Sequence, residues 1–188
     1  MAFTIWGEED MGRIIAVYGA IAGVIVVIGM QISIAVVTDH GTMGMVAGYL
    51  SMLLGMIFVF VGVKRYRDVE RGGVISFGKA LSVGLGISFV AALFYVLSWE
   101  VYMWQTGGSF MAEYIASQVE AMRAAGKSAA EIAKFSTEMN VMAEQYKNPA
   151  FRMALTFVEI LPVALLVSLV SAALLRKSSF LPATQPRG

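Results

Sequence analysis

Four apolar runs, each about twenty residues or longer, limit what this chain can fold into. Residues 14–37 carry no charge and would be about 36 Å long as a helix, enough to cross a ~30 Å hydrocarbon core with some tilt. Residues 45–63 are a second uncharged run, which stops at Lys64-Arg65-Tyr66-Arg67. A third, residues 80–99, leads into Tyr95, Trp99, Tyr102 and Trp104, aromatics of the kind that settle at a membrane–water interface. The fourth, residues 151–175, contains Arg152, Glu159 and Pro162 and ends at Arg176-Lys177. With 58% hydrophobic and 14% charged residues, against about 25% charged in soluble domains, a water-soluble fold could not hide this much apolar surface. The predicted fold class is therefore all-α: a polytopic membrane protein with four transmembrane helices, over residues 14–37, 45–63, 80–104 and 150–175. They form a single membrane domain with the lipid bilayer as solvent, and residues 105–149 insert between the third and fourth spans.

The rest of the composition mainly excludes. A formal net charge of +1 gives no electrostatic case for nucleic acid. The absence of cysteine rules out disulfides, thiolate metal sites and cysteine nucleophiles. His40 is the one histidine, so histidine-rich metal sites and most catalytic triads are excluded. No cofactor is expected. Glu8, Glu9 and Asp10 precede the first run, where a signal peptide would be basic, so that run is expected to stay in the membrane.

Basic residues predict the orientation. Arg13, then Lys64, Arg65, Arg67, Arg71 and Lys79, then Arg176, Lys177 and Arg187 fall on one side. Arg123, Lys127, Lys134, Lys147 and Arg152 fall on the other, mostly far from the spans. The positive-inside rule then puts both termini and the 63–79 connection in the cytoplasm, in a cytoplasmic (inner) membrane. Packing seams are predicted from small residues: Gly41, Gly48, Gly55 and Gly62 on the second helix, Ala16, Gly19, Ala20 and Gly23 on the first, Ala80, Gly84 and Ser88 on the third.

The external segment is patterned. Ile132, Phe135, Met139, Met142 and Tyr146 recur at 3,4,3,4 spacing, which makes one apolar helical stripe. Met111, Tyr114, Ile115, Val119 and Met122 make another. Gly126 can end the first helix, and Ser128-Ala129-Ala130-Glu131 is a capping box that can begin the second. Asn148-Pro149 caps the fourth span. The expectation is an amphipathic hairpin hinged at Gly107-Gly108. Its stripes are expected to bury each other; the sharper alternative is a docking surface. Five Glu against four Lys and Arg in the hairpin indicate no strong pull toward anionic lipid.

Several local motifs have bland readings. Residues 73–79 match most of a phosphate-binding loop, but Ala80 stands where Ser or Thr should reach Mg²⁺. They read as a turn into the third span, with Lys79 as an interfacial anchor. Lys64, Arg65, Arg67 and Arg71, mixed with Asp68 and Glu70, read as an elbow that sets topology and meets headgroups. Asp39-His40 has too few ligands for a metal site and reads as a solvated turn.

The intramembrane charges say more. Glu100 and Arg152 enter their helices from the same outer side and could pair as a clamp. Glu159 lies seven residues beyond Arg152, on the same face and ~10 Å deeper. A carboxyl there should be protonated, paired or facing water. Pro162 frees the Val158 carbonyl nearby. Gln31, Tyr49, Ser51, Tyr95 and Ser98 fall in the same outer half, and a polar layer around Glu159 is predicted. Its role is either a structural lock between helices or a functional site.

Taken together, certain motifs resemble domain-of-unknown-function family 4199. They are Lys64-Arg65-Tyr66-Arg67-Asp68, Gly72-Gly73-Val74-Ile75-Ser76-Phe77-Gly78-Lys79-Ala80, Trp99-Glu100-Val101-Tyr102, Tyr146-Lys147-Asn148-Pro149 and Glu159-x-x-Pro162. The resemblance implies bacterial four-span membrane proteins with an external insertion, and no activity. Two functions follow as expectations. The first is a non-enzymatic protein whose hairpin and bundle engage a membrane or extracytoplasmic protein or a second copy. The other is a small oligomeric transporter or proton-coupled permease using Glu159. A membrane enzyme ranks third, since no nucleophile–base or metal constellation is present.

Overall fold

In lipid, backbone N–H and C=O groups have no solvent partner, so long apolar runs close their hydrogen bonds as helices. The computed structural model describes residues 6–36 and 42–183 and has this form. Helices α1 (Trp6–Val36), α2 (Thr42–Arg65), α3 (Phe77–Gln105) and α6 (Pro149–Leu175) are the long ones, and α4 (Phe110–Ala124) and α5 (Ala129–Tyr146) lie between α3 and α6. All four long helices have the length and hydropathy to cross a membrane, so this is an all-helical, multi-pass membrane protein. Each is somewhat longer than its uncharged run, because the helix continues into the interface. Thus α1 takes in Asp10 and Arg13, and α3 begins at Phe77, where the Ser76 side chain accepts a hydrogen bond from the Lys79 N–H at 3.4 Å. Asp39, His40, Gly41 and Arg187 lie outside the described residues.

α1 packs along α2 and α3, while α6 packs along α3 and, less extensively, α2. The core is apolar, with Val26, Met56, Val59, Val83, Ile87, Ala91 and Ile160 fully enclosed. Ile28, Leu54, Phe89, Leu97, Val158 and Leu166 point outward, more than half exposed, which suits a bundle whose solvent is lipid. Small residues set the close approaches. A side chain at Gly23 would collide with Phe94 of α3, and one at Gly62 with Ile87 and Tyr18. Gly84 lies against Ser168 of α6, and the Ser88 and Ser168 hydroxyls hydrogen-bond at 3.1 Å in the buried seam. The predicted second-helix stripe is shorter than expected, since Gly48 faces open space.

The hairpin has the predicted joints. Gly126 ends α4 with φ +71°, in the left-handed region where glycine is unstrained, while the Lys127 N–H reaches back to the Met122 carbonyl. Ser128 and Glu131 form the reciprocal capping box. Met111 and Tyr146 are buried, and Tyr114, Ile115, Val119, Ile132, Phe135, Met139 and Met142 are half-buried. The two stripes therefore share their burial along the α4–α5 seam.

One part of the chain departs from expectation. Helix α2 does not stop at the basic elbow but passes into a π-helical turn, Tyr66–Glu70, in which Tyr66 and Arg67 are buried. Arg67 is therefore not a headgroup contact.

Candidate functional site

Two polar clusters stand out, one at each end of the bundle. At the hairpin end, Glu100 near the C-terminal end of α3 and Arg152 in the first turns of α6 meet in a two-pronged ion pair. Arg152 Nε donates to Glu100 Oε1 at 2.7 Å, and Nη2 donates to Oε2. Their side chains are 11% and 19% exposed, so the pair is largely withdrawn from solvent. The third prong of the guanidinium donates to the Tyr146 carbonyl at 3.0 Å, and its central carbon lies over the Tyr146 ring, 5.8 Å from the centroid. Arg152 thus satisfies a carbonyl that the end of α5 leaves without a helical partner.

Tyr146 is fixed from the other side as well. Trp99 Nε1 donates to its hydroxyl at 2.7 Å, and the Trp99 ring stacks edge-on against Phe110, the first residue of α4, at 4.8 Å. Burial pushes the Tyr146 phenol up, against the opposing pull of the Trp99 hydrogen bond and the Arg152 charge. Met103, Met111 and Tyr146 form a small second core, with Met139, Met142, Ala143 and Phe151 around it. Helices α3, α4, α5 and α6 all converge here. The sequence placed Glu100 and Arg152 at one depth, but gave no sign of the Trp99–Tyr146 bond, because Tyr146 reads equally well as the last stripe residue.

The structure assembles the predicted polar layer only in part. Tyr95 Oη donates to Glu159 Oε2 at 3.3 Å. Gln31 is not in that group: Gly23 meets Phe94, the neighbour of Tyr95, so Gln31, eight residues further along α1, lies about 12 Å nearer the hairpin end of the bundle. Glu159 itself is exposed on the bundle surface. α6 turns Thr156, Ile160, Val163 and Ala164 inward, and Glu159 falls at the edge of that face, with Pro162 exposed one turn on. Tyr49 is also exposed, and Ser51 returns its hydrogen bond to the Gly48 carbonyl at 2.7 Å.

At the opposite end, Arg67 is wholly enclosed. Its guanidinium donates to the carbonyls of Leu175 at 3.5 Å, Phe180 at 2.8 Å and Leu181 at 2.5 Å, and its Nε meets Asp68 at 2.6 Å. Asp68 also pairs with Lys64. The segment after α6 is thereby folded back onto the π-helical turn, with the Phe180 ring edge-on to Phe60. Leu181 holds φ +48°, a strained value for a branched side chain. Nothing in the periodicity of residues 64–71 distinguishes Arg67 from its basic neighbours; the five-residue π-helical turn does. Among the described residues no cluster of three or more metal-ligating side chains occurs.

A four-span helical bundle with an ordered hairpin rooted between its third and fourth spans is the class these features define. A family model described as a protein of unknown function, DUF4199, matches residues 17–177, and the chain belongs to that family. No curated protein and no solved structure matches the chain.

Proposed function

We propose that this is a non-enzymatic membrane protein that engages another membrane or extracytoplasmic protein, or a second copy of itself, through the hairpin. In this reading both termini are cytoplasmic and the hairpin lies outside a cytoplasmic membrane. The observation that carries the reading is the way the hairpin is mounted. Its base is tied to α3 and α6 by the Glu100–Arg152–Tyr146 group and the Trp99 bond, while α4 and α5 otherwise pack mainly on each other. A loop serving only as a connection needs no such root. A rigid, anchored helix pair with Val141 59% exposed on its surface is a recognition element. A photoreactive residue at Val141 in living cells should give one reproducible crosslinked protein species, identified by mass spectrometry. Adducts to lipid alone would sink the proposal.

A second reading, proton-coupled transport, draws support from the exposed Glu159 carboxyl beside Tyr95 on a membrane-facing surface. An ionisable side chain within a span is a functional candidate by default. Glu159→Gln keeps the hydrogen bond to Tyr95 and removes the titratable proton. If that variant, present at normal levels, loses a cellular phenotype that depends on the protein, transport gains. Wild-type behaviour removes its one candidate residue.

A further inference from the structure

The basic end of the bundle holds a pocket that neither the helix packing nor the Arg67 clamp uses. Its volume is about 240 Å³, and it is lined by Asp10, Arg13, Ile14 and Val17 of α1 with Arg65 and Glu70 of the α2 end. The four α1 residues recur at i, i+3, i+4 and i+7, so they share one helical face. The π-helical turn packs against α1 and so brings Glu70 to the same place. Ile14 is buried, and Val17, a turn deeper, is exposed on the surface that faces lipid.

Charge in this region is sorted. Lys64 and Arg67 are committed to Asp68. Arg13, Arg65, Asp10 and Glu70 take part in none of the ion pairs among the described residues. The pocket therefore offers two guanidiniums and two carboxylates, beside an apolar wall, at the level where the spans leave the membrane.

We propose that this pocket binds the headgroup of an aminophospholipid. The phosphate is held by Arg13 and Arg65, the primary ammonium by Asp10 and Glu70, and an acyl chain runs down past Val17. Three features select that ligand. Balanced charge favours a zwitterion over an anionic lipid, because the two carboxylates repel a headgroup that carries only phosphate. Guanidinium forks match phosphate oxygens better than an ammonium point charge does. Carboxylates need N–H donors, which a primary ammonium has and a quaternary choline lacks.

The test uses full-length, delipidated protein in detergent, titrated with lipids of identical acyl chains and followed by native mass spectrometry. Phosphatidylethanolamine should bind about tenfold more tightly than phosphatidylcholine or phosphatidylglycerol, the effect of one charge-assisted contact. Arg13→Gln with Arg65→Gln should weaken phosphatidylethanolamine by about tenfold or more. Asp10→Asn with Glu70→Gln should abolish the preference for it over phosphatidylcholine. Circular dichroism identifies folded variants, and the single changes Arg13→Gln and Glu70→Gln serve if a double variant fails. Equal binding of the three lipids by wild type, or unchanged binding in folded variants, overturns the proposal. Competition by soluble phosphoethanolamine at concentrations like those of the lipid overturns the lipid assignment in favour of a water-soluble zwitterion.

Discussion

Arg152 has two tasks, neutralising Glu100 and capping the end of α5, and both follow from having three hydrogen-bonding edges on one planar group. Lysine could meet one partner only, so Arg152→Lys should keep much of the bundle but loosen the hairpin root. Either single change, Glu100→Ala or Arg152→Ala, leaves a charge unpaired in a largely enclosed place. A loss of roughly 3 kcal/mol is expected from each. The double change should cost clearly less than the sum of the two, because no uncompensated charge remains. Thermal melts of the four proteins in one detergent measure this, and additive losses would show that the pair is not coupled. Arg67 obeys the same logic at the other end. Its three carbonyl partners all lie at or after the last residue of α6, so Arg67→Met should release that segment while leaving the spans inserted. Limited trypsin cleavage at Arg176 and Lys177, both exposed, should accelerate about tenfold or more, as expected for the loss of charge-assisted bonds. An unchanged cleavage rate would mean that the tail is held by Phe180 packing alone.

At the scale of elements, the hairpin depends on one cap. Ser128 Oγ accepts from the Glu131 N–H, and the Glu131 carboxylate accepts from the Ser128 N–H at 3.0 Å and from its hydroxyl at 2.8 Å. The Ser128 backbone bond above all, then its hydroxyl and Lys127, holds the Glu131 carboxyl down to about 2. A depressed acid contributes stability above its unfolded value, about 4.3, and loses it as pH falls through the folded value. Hydrogen-exchange protection at the start of α5 should therefore decline between about pH 4.3 and 2, and Glu131→Gln should flatten that decline. Ser128→Ala should cost about 1 kcal/mol of local helix stability at neutral pH. A protection profile indifferent to both changes would mean that the cap does not set the helix start. This element was legible because its signals are local: a capping residue, a glycine and a 3,4,3,4 stripe need nothing beyond their own segment. The spans were legible for a similar reason, as length and apolarity decide them before packing does. The Trp99–Tyr146 bond and the Arg67 clamp were not, because each joins positions far apart in sequence, 47 residues in the first case and 108–114 in the second. The partners of Glu159 were only partly legible for a related reason: depth follows from counting turns, but rotation of α6 depends on how Ile160, Val163 and Ala164 pack against their neighbours.

The whole molecule is a bundle with chemically unlike ends. At one end Arg13, Lys64, Arg65, Arg71, Lys79, Arg176 and Lys177 cluster within short distance of the spans. Withdrawing Arg67, which is enclosed and bonded to carbonyls, does not change the balance. At the other end, Arg152 is neutralised by Glu100, and the hairpin cations pair with nearby glutamates on the same surface, as in Lys127 with Glu131 and Lys147 with Glu144. Basic residues close to the spans therefore still concentrate at the end opposite the hairpin, which favours cytoplasmic retention of the 63–79 connection. The chain has no cysteine, so single cysteines report position without background. Lys127→Cys sits at the exposed hairpin joint, and Arg71→Cys at the exposed end of the π-helical turn. In intact cells an impermeant maleimide should label Lys127→Cys and leave Arg71→Cys unmodified until the membrane is opened. Lys177→Cys, just past α6, should behave like Arg71→Cys, since an even number of spans returns the chain to the side on which it began. The reverse pattern would place the hairpin in the cytoplasm and give its partner a cytoplasmic address, while labelling of Arg71→Cys and Lys177→Cys on opposite sides would break the four-span topology itself.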